Sequence, residues 1–164
     1  MAKINNRLAE NLESQVEMHE ILLEVLEQEN QLPASCDLFK LEEIQSMRDS
    51  TVVRISELET LRIQIVEEYR RENGIKMPIT LSDILANCED DARLPMSNSR
   101  NLLNNLIEKI RDTGKQNAVK ANARITCFNE VQKAVHKSFN RHSIYSMDGM
   151  IEKPKGACLM QKSI

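Results

Sequence analysis

Apolar residues recur at three- and four-residue steps along most of this chain, the spacing that gathers them on one face of a helix. Leu8, Leu12, Val16, His19, Leu22, Leu23 and Leu26 form the first such stripe, while Glu10, Glu13, Glu17, Glu20, Glu24 and Glu27 fill the other sides. The pattern predicts a helix over about 4–31, ended by Pro33. The turn through Asp37 is short enough to send the next helix back antiparallel. That second helix, 38–73, carries Leu41, Ile44, Met47, Val52, Ile55, Leu58, Leu61, Ile65 and Tyr69. Asp37 is placed to cap its start and Gly74 to stop it. Thr80 and Asp83 stand three apart as a capping pair for a short helix over 81–88.

The last periodic stretch is expected to run from 97 to 140, after Pro95, with Ser97 or Ser99 as its N-cap. Leu102, Leu103, Leu106, Ile107 and Ile110 open its stripe, and Ile125, Phe128, Val131, Val135 and Phe139 close it. Between them, Thr113 to Asn122 offers little to a core. Gly114 costs about 1 kcal/mol against Ala and marks either a weak point or a close contact. About 40 helical residues span roughly 60 Å, longer than a compact domain of this length needs. The C-terminal half is therefore expected to project with an apolar face to cover, which suggests a protein that holds another chain. Periodicity stops near Arg141. The fold class read from these patterns is all-α: an elongated antiparallel helical bundle or coiled coil with a long C-terminal helix. A helical domain over 1–144 would be followed by a mobile tail over 145–164.

Composition supports one helical domain, with 164 residues, 4 Gly, 4 Pro, no Trp and 3% aromatics. So few aromatic rings argue against nucleic-acid stacking platforms. No stretch approaches the ~20 apolar residues of a membrane span, and no apolar segment of a signal peptide follows the start. Cys36, Cys88, Cys127 and Cys158 stand singly, without metal-ligand spacing, as reduced thiols of a cytoplasmic protein would. The net charge of −3 hides an asymmetry: −11 over residues 1–91 and +8 over 92–164. The simplest reading lays the basic last helix against the acidic first ones. The alternative is that the basic helix seeks an acidic partner or nucleic acid.

No enzyme is visible. A di-iron bundle needs Glu three residues before His, but Val16, Lys133 and Phe139 precede His19, His136 and His142 at that distance. No phosphate-binding loop or nucleophile elbow occurs. His19 lies on an apolar stripe as a seam histidine, and His136 is the one candidate for a phosphotransfer role. No cofactor or metal is expected.

The succession Glu29, Leu32, Asp37, Leu41, then Arg48, Ile55, Leu58-Glu59 and Arg62 resembles the FlgN family of flagellar type III export chaperones. The likeness continues through Asn117 and Asn122 and ends with Tyr145 and Asp148-Gly149. It covers most of residues 15–150; Arg48 stands where such chains often carry Lys, and residues 150–164 add no family feature. The resemblance implies a cytoplasmic chaperone for hook–filament junction proteins (hook-associated proteins). It would bind their C-terminal amphipathic helix, prevent premature assembly and deliver them to the export gate. An apolar stripe suits the helix-in-groove mode, which makes Ile125, Phe128, Val131, Val135 and Phe139 the candidate client-binding residues. Met147, Met150 and Met160 would add adaptable surface nearby. By the same resemblance Tyr145 would dock at the cytosolic domain of the export gate. A homo-oligomer in the client-free state is a further expectation. The rival readings are a structural coiled coil in which 125–139 meets its own copy, and a small helical signalling module acting through His136.

Overall fold

The computed structural model describes residues 2–33, 38–88, 90–141, 144–145 and 151–152. Its helices are α1 (Ala2–Gln31), α2 (Leu38–Glu72), α3 (Leu81–Ala86) and α4 (Asp90–Arg141). The fold class is all-α, as the stripes predict. A two-residue ladder is its one addition: β1 (Ile144–Tyr145) pairs antiparallel with β2 (Ile151–Glu152), Tyr145 opposite Ile151. The chain divides into two compact units, residues 1–120 and 121–164.

In the first unit α1 and α2 form the antiparallel hairpin that the short connection demanded. Arg7 of α1 donates to Glu68 of α2 at 2.6 Å, and near the other end Arg48 of α2 reaches Glu29 of α1 at 3.4 Å. The buried positions of α2 recur every seven residues, at Ile44, Thr51, Leu58 and Ile65. A seven-residue repeat keeps one seam facing a partner helix as the two supercoil left-handedly. The stripe read from apolar residues alone placed Met47, Val52 and Leu61 in that seam. They are 44, 48 and 41% exposed, and Thr51 takes the buried place instead. Its hydroxyl donates to the Met47 carbonyl at 2.8 Å, so a polar residue enters the seam satisfied by its own helix.

The apolar core is split. One cluster joins Ile4, Leu8 and Leu12 of α1 to Ile65, Val66 and Tyr69 of α2, Ile84 and Leu85 of α3, and Met96 and Leu103 of α4. The other holds Val25 and Leu32 of the first helix and its end against Ile44. Polar groups fill the interval. Asn11 donates to the Leu58 carbonyl at 3.1 Å, Gln15 donates to Asn11 at 3.0 Å, and His19 Nδ1 lies 2.7 Å from the Gln15 carbonyl. His19 is thus half-buried and hydrogen-bonded in the seam. Nearby, Arg62 donates twice to Glu59, at 2.6 and 2.8 Å. That pairing holds the Glu59 carboxyl below its usual range, against the opposing effect of partial burial.

Helix ends follow the local signals in two places. Gly74 has φ +63, and the Ile75 and Gly74 amides donate to the Arg70 and Arg71 carbonyls, the Schellman arrangement that only glycine enters without strain. Thr80 and Asp83 form the expected reciprocal cap: the Thr80 amide donates to Asp83 at 2.7 Å and the Asp83 amide to Thr80 Oγ1 at 3.4 Å. The start of α4 differs from expectation. The helix begins at Asp90, Pro95 lies inside it, and Ser97 and Ser99 are helical rather than capping. Pro95 is the sixth residue of the helix, beyond the four amides that lack intrahelical partners, so it gives up one backbone hydrogen bond of the opening turns. The cap expected at Asp37, and Cys36 and Cys158, lie outside the described residues. So does most of the expected tail, although Tyr145 and Ile151–Glu152 belong to the ladder.

Leu8, fully buried in the larger cluster, is expected to lose about 2–5 kcal/mol on Leu8→Ala. Val53→Ala, at a site 59% exposed, should stay within about 0.5 kcal/mol; urea unfolding measures both. The depressed Glu59 carboxyl gives a pH signature. Its stabilisation is fully present above the ordinary value of 4.5 and is lost as pH falls through the lower folded value. Melting temperatures of the native chain and Glu59→Gln should therefore differ at neutral pH and converge well below 4.5.

Candidate functional site

The stripe 125–139 lies on the second compact unit, within the helical run of α4 that ends at Arg141. Ile125, Phe128, Val131 and Val135 follow each other at three- and four-residue steps, so they share one side of the helix. They are 59, 68, 56 and 47% exposed. From Ala121 to Ser138 every described side chain is exposed except Arg124, which is intermediate. The Phe139 side chain lies outside the described residues. Four large apolar side chains on one face, open to solvent, are more than scattered surface hydrophobics, which occur singly.

Asn117 and Asn122, the two asparagines that mark α4, have different surroundings. Asn122 is exposed, and its carbonyl accepts from the Thr126 hydroxyl at 3.0 Å. Asn117 is buried against α1, where its Nδ2 donates to the Leu26 carbonyl at 2.9 Å and to Glu29 Oε2 at 3.3 Å. The same Glu29 oxygen accepts from Arg48 of α2. Three residues far apart in the chain, Glu29, Arg48 and Asn117, thus meet and tie three helices together. No local spacing announces this meeting.

Among the described residues, none of Glu10, Glu13, Glu17, Glu20, Glu24 and Glu27 is ion-paired with α4. The described ion pairs join α1 to α2 or neighbours within one helix, and Lys120 of α4 donates to the Asn30 carbonyl at 2.6 Å instead.

His136 is exposed, and Cys127 is an exposed free thiol. No group of three or more His, Cys, Asp or Glu among the described residues could hold a metal ion. No described helix is long and apolar enough to cross a membrane. The Tyr145 backbone sits in the β ladder beside Ile151; its side chain, with His142, Met147, Asp148-Gly149, Met150 and Met160, lies outside the described residues.

A family model described as FlgN protein matches residues 1–153, most of the chain and nearly all of the residues described above. Nothing matches among curated proteins or among solved structures.

An exposed stripe is expected to tolerate charge. Val131→Asp should leave far-UV circular dichroism unchanged and shift unfolding stability by no more than about 0.5 kcal/mol; a larger loss, read by urea titration, would mean that Val131 is core.

Proposed function

The chain belongs to the FlgN family of flagellar export chaperones, and on that premise we propose that its uncovered α4 stripe receives the C-terminal amphipathic helix of hook–filament junction proteins in the cytoplasm. The observation that carries this reading is the exposure of Ile125, Phe128, Val131 and Val135 on one side of α4. A client helix laid there removes apolar surface from water at roughly 25 cal/mol per Å². The same contact covers the client's own apolar face, which is the face it would use to assemble. Binding and prevention of premature assembly are then one event. Phe139 continues the spacing and completes the proposed surface.

Delivery to the export gate is assigned to Tyr145, in the place where the family carries a docking tyrosine. Tyrosine offers a large ring and a hydroxyl at modest entropic cost. Its backbone pairs with Ile151 in a short ladder. A two-stranded ladder is only marginally stable alone, so contact with a partner would reinforce it.

Binding of a synthetic junction-protein C-terminal helix, measured calorimetrically, tests the first assignment. Val131→Asp should weaken it at least tenfold, which corresponds to about 1.4 kcal/mol, while the fold stays intact; undiminished affinity would refute the stripe. For the second, Tyr145→Ala should reduce capture by the cytosolic domain of the export gate and leave client affinity unchanged. Equal loss of both would assign Tyr145 to the fold instead.

A further inference from the structure

The two ends of the α1–α4 contact are held by different forces. At the start of α4, Met96 and Leu103 are buried in the large apolar cluster with Leu12. Beyond Leu103 no described apolar side chain of α4 is buried; Leu106 and Ile110 are half-exposed. The second apolar cluster contains residues of α1, α2 and the α1 end, and none of α4. Leu26 of α1, 8% exposed, belongs to neither cluster.

The directional contacts between this stretch of α4 and α1 are hydrogen bonds. Asn117 donates to the Leu26 carbonyl and to Glu29, Asn30 donates to Gln116 at 3.1 Å, and Lys120 donates to the Asn30 carbonyl. The clasp is imperfect, because the buried Asn117 Oδ1 has no hydrogen-bond partner. An unmet buried acceptor opposes closure, and water would satisfy every member of the clasp on opening. Gly114 lies in the same stretch. A Cβ there would meet nothing within 4 Å, so it marks a weak point in the helix and not a close contact.

We propose that residues 106–120 of α4 are a latch that opens from α1 while the Met96–Leu103 anchor stays packed. Opening bares Leu26 and frees Leu106 and Ile110 without disturbing either apolar cluster. It is a local transition of low cost compared with unfolding. A partner helix able to cover those side chains stabilises the open state by its preference for that state alone. The latch stands independently of what binds the 125–139 stripe.

Thiol labelling tests it in the full chain with its four native cysteines replaced by serine. With DTNB in the absence of denaturant, Leu26→Cys should react at least tenfold faster than Leu12→Cys, which sits beside the anchor. Adding Asn117→Leu, which replaces the clasp by an apolar contact, should slow Leu26→Cys labelling severalfold and leave Leu12→Cys unaffected. Equal rates at the two positions, both following global unfolding, would overturn the latch. A second measurement avoids the cysteine substitutions. Asn117→Asp in the native chain sets a second carboxylate beside Glu29 and should raise binding of an apolar dye at neutral pH with unchanged helicity. Dye binding equal to that of the native chain would likewise refute it.

Discussion

Residues 1–120 depend on the requirement that one helix, α1, be covered by two neighbours at once. The α2 helix returns antiparallel along it, bonding at Arg7–Glu68, Asn11–Leu58 and Glu29–Arg48. The α4 helix runs in the same direction as α1, with Leu12 and Leu103 in one cluster and Asn117 at Leu26, 91 residues away. A single helix with two partners needs a broad buried face. This explains why Leu8 and Leu12, one turn apart, are both almost fully buried, and why polar Asn5, Asn11 and Gln15 are drawn inside. Burial of these side chains would be costly if they were not bonded. Asn11 and Gln15 meet the requirement by sharing the Leu58 carbonyl.

Polar residues in the seams also select one arrangement among many. Leucine-rich faces slide against each other with little penalty, whereas a buried amide finds its acceptor in a single register. Asn11 and Gln15 hold α1 against α2, and the Glu29–Arg48–Asn117 junction holds all three long helices at the opposite end. Between the two apolar clusters the molecule exchanges cohesion for registration. The proposed latch lies elsewhere, at the Asn117 clasp on the far end of α1.

The proposed chaperone role draws on the same division. Met96 and Leu103 anchor the α4 start within the first unit. The described residues from Ala121 to Ser138 keep apolar side chains exposed, on a helix whose sequence is rich in basic residues, Arg124, Lys133, Lys137 and Arg141 against Glu130. Two copies of this stretch would bring like charges together, so electrostatics favours a different chain as its occupant over a second copy.

Helical class, the antiparallel hairpin, the Gly74 stop and the Thr80–Asp83 cap were all legible in the sequence. Each follows from forces acting within a few residues: apolar periodicity, a turn too short for any other return, a positive φ, a reciprocal side-chain cap. The stripe 125–135 was legible for the same reason, since spacing alone puts those residues on one side of a helix. Only the tertiary structure decided which stripe residues are buried. Val52 and Leu61 remain open while Thr51 goes inside, because a supercoiled seam repeats every seven residues and an apolar count does not see that phase. Pro95 within α4, and the meeting of Glu29 with Arg48 and Asn117, were equally out of reach. A helix start depends on which backbone groups its surroundings satisfy, and a three-helix junction on how distant segments align; neither is written in local spacing.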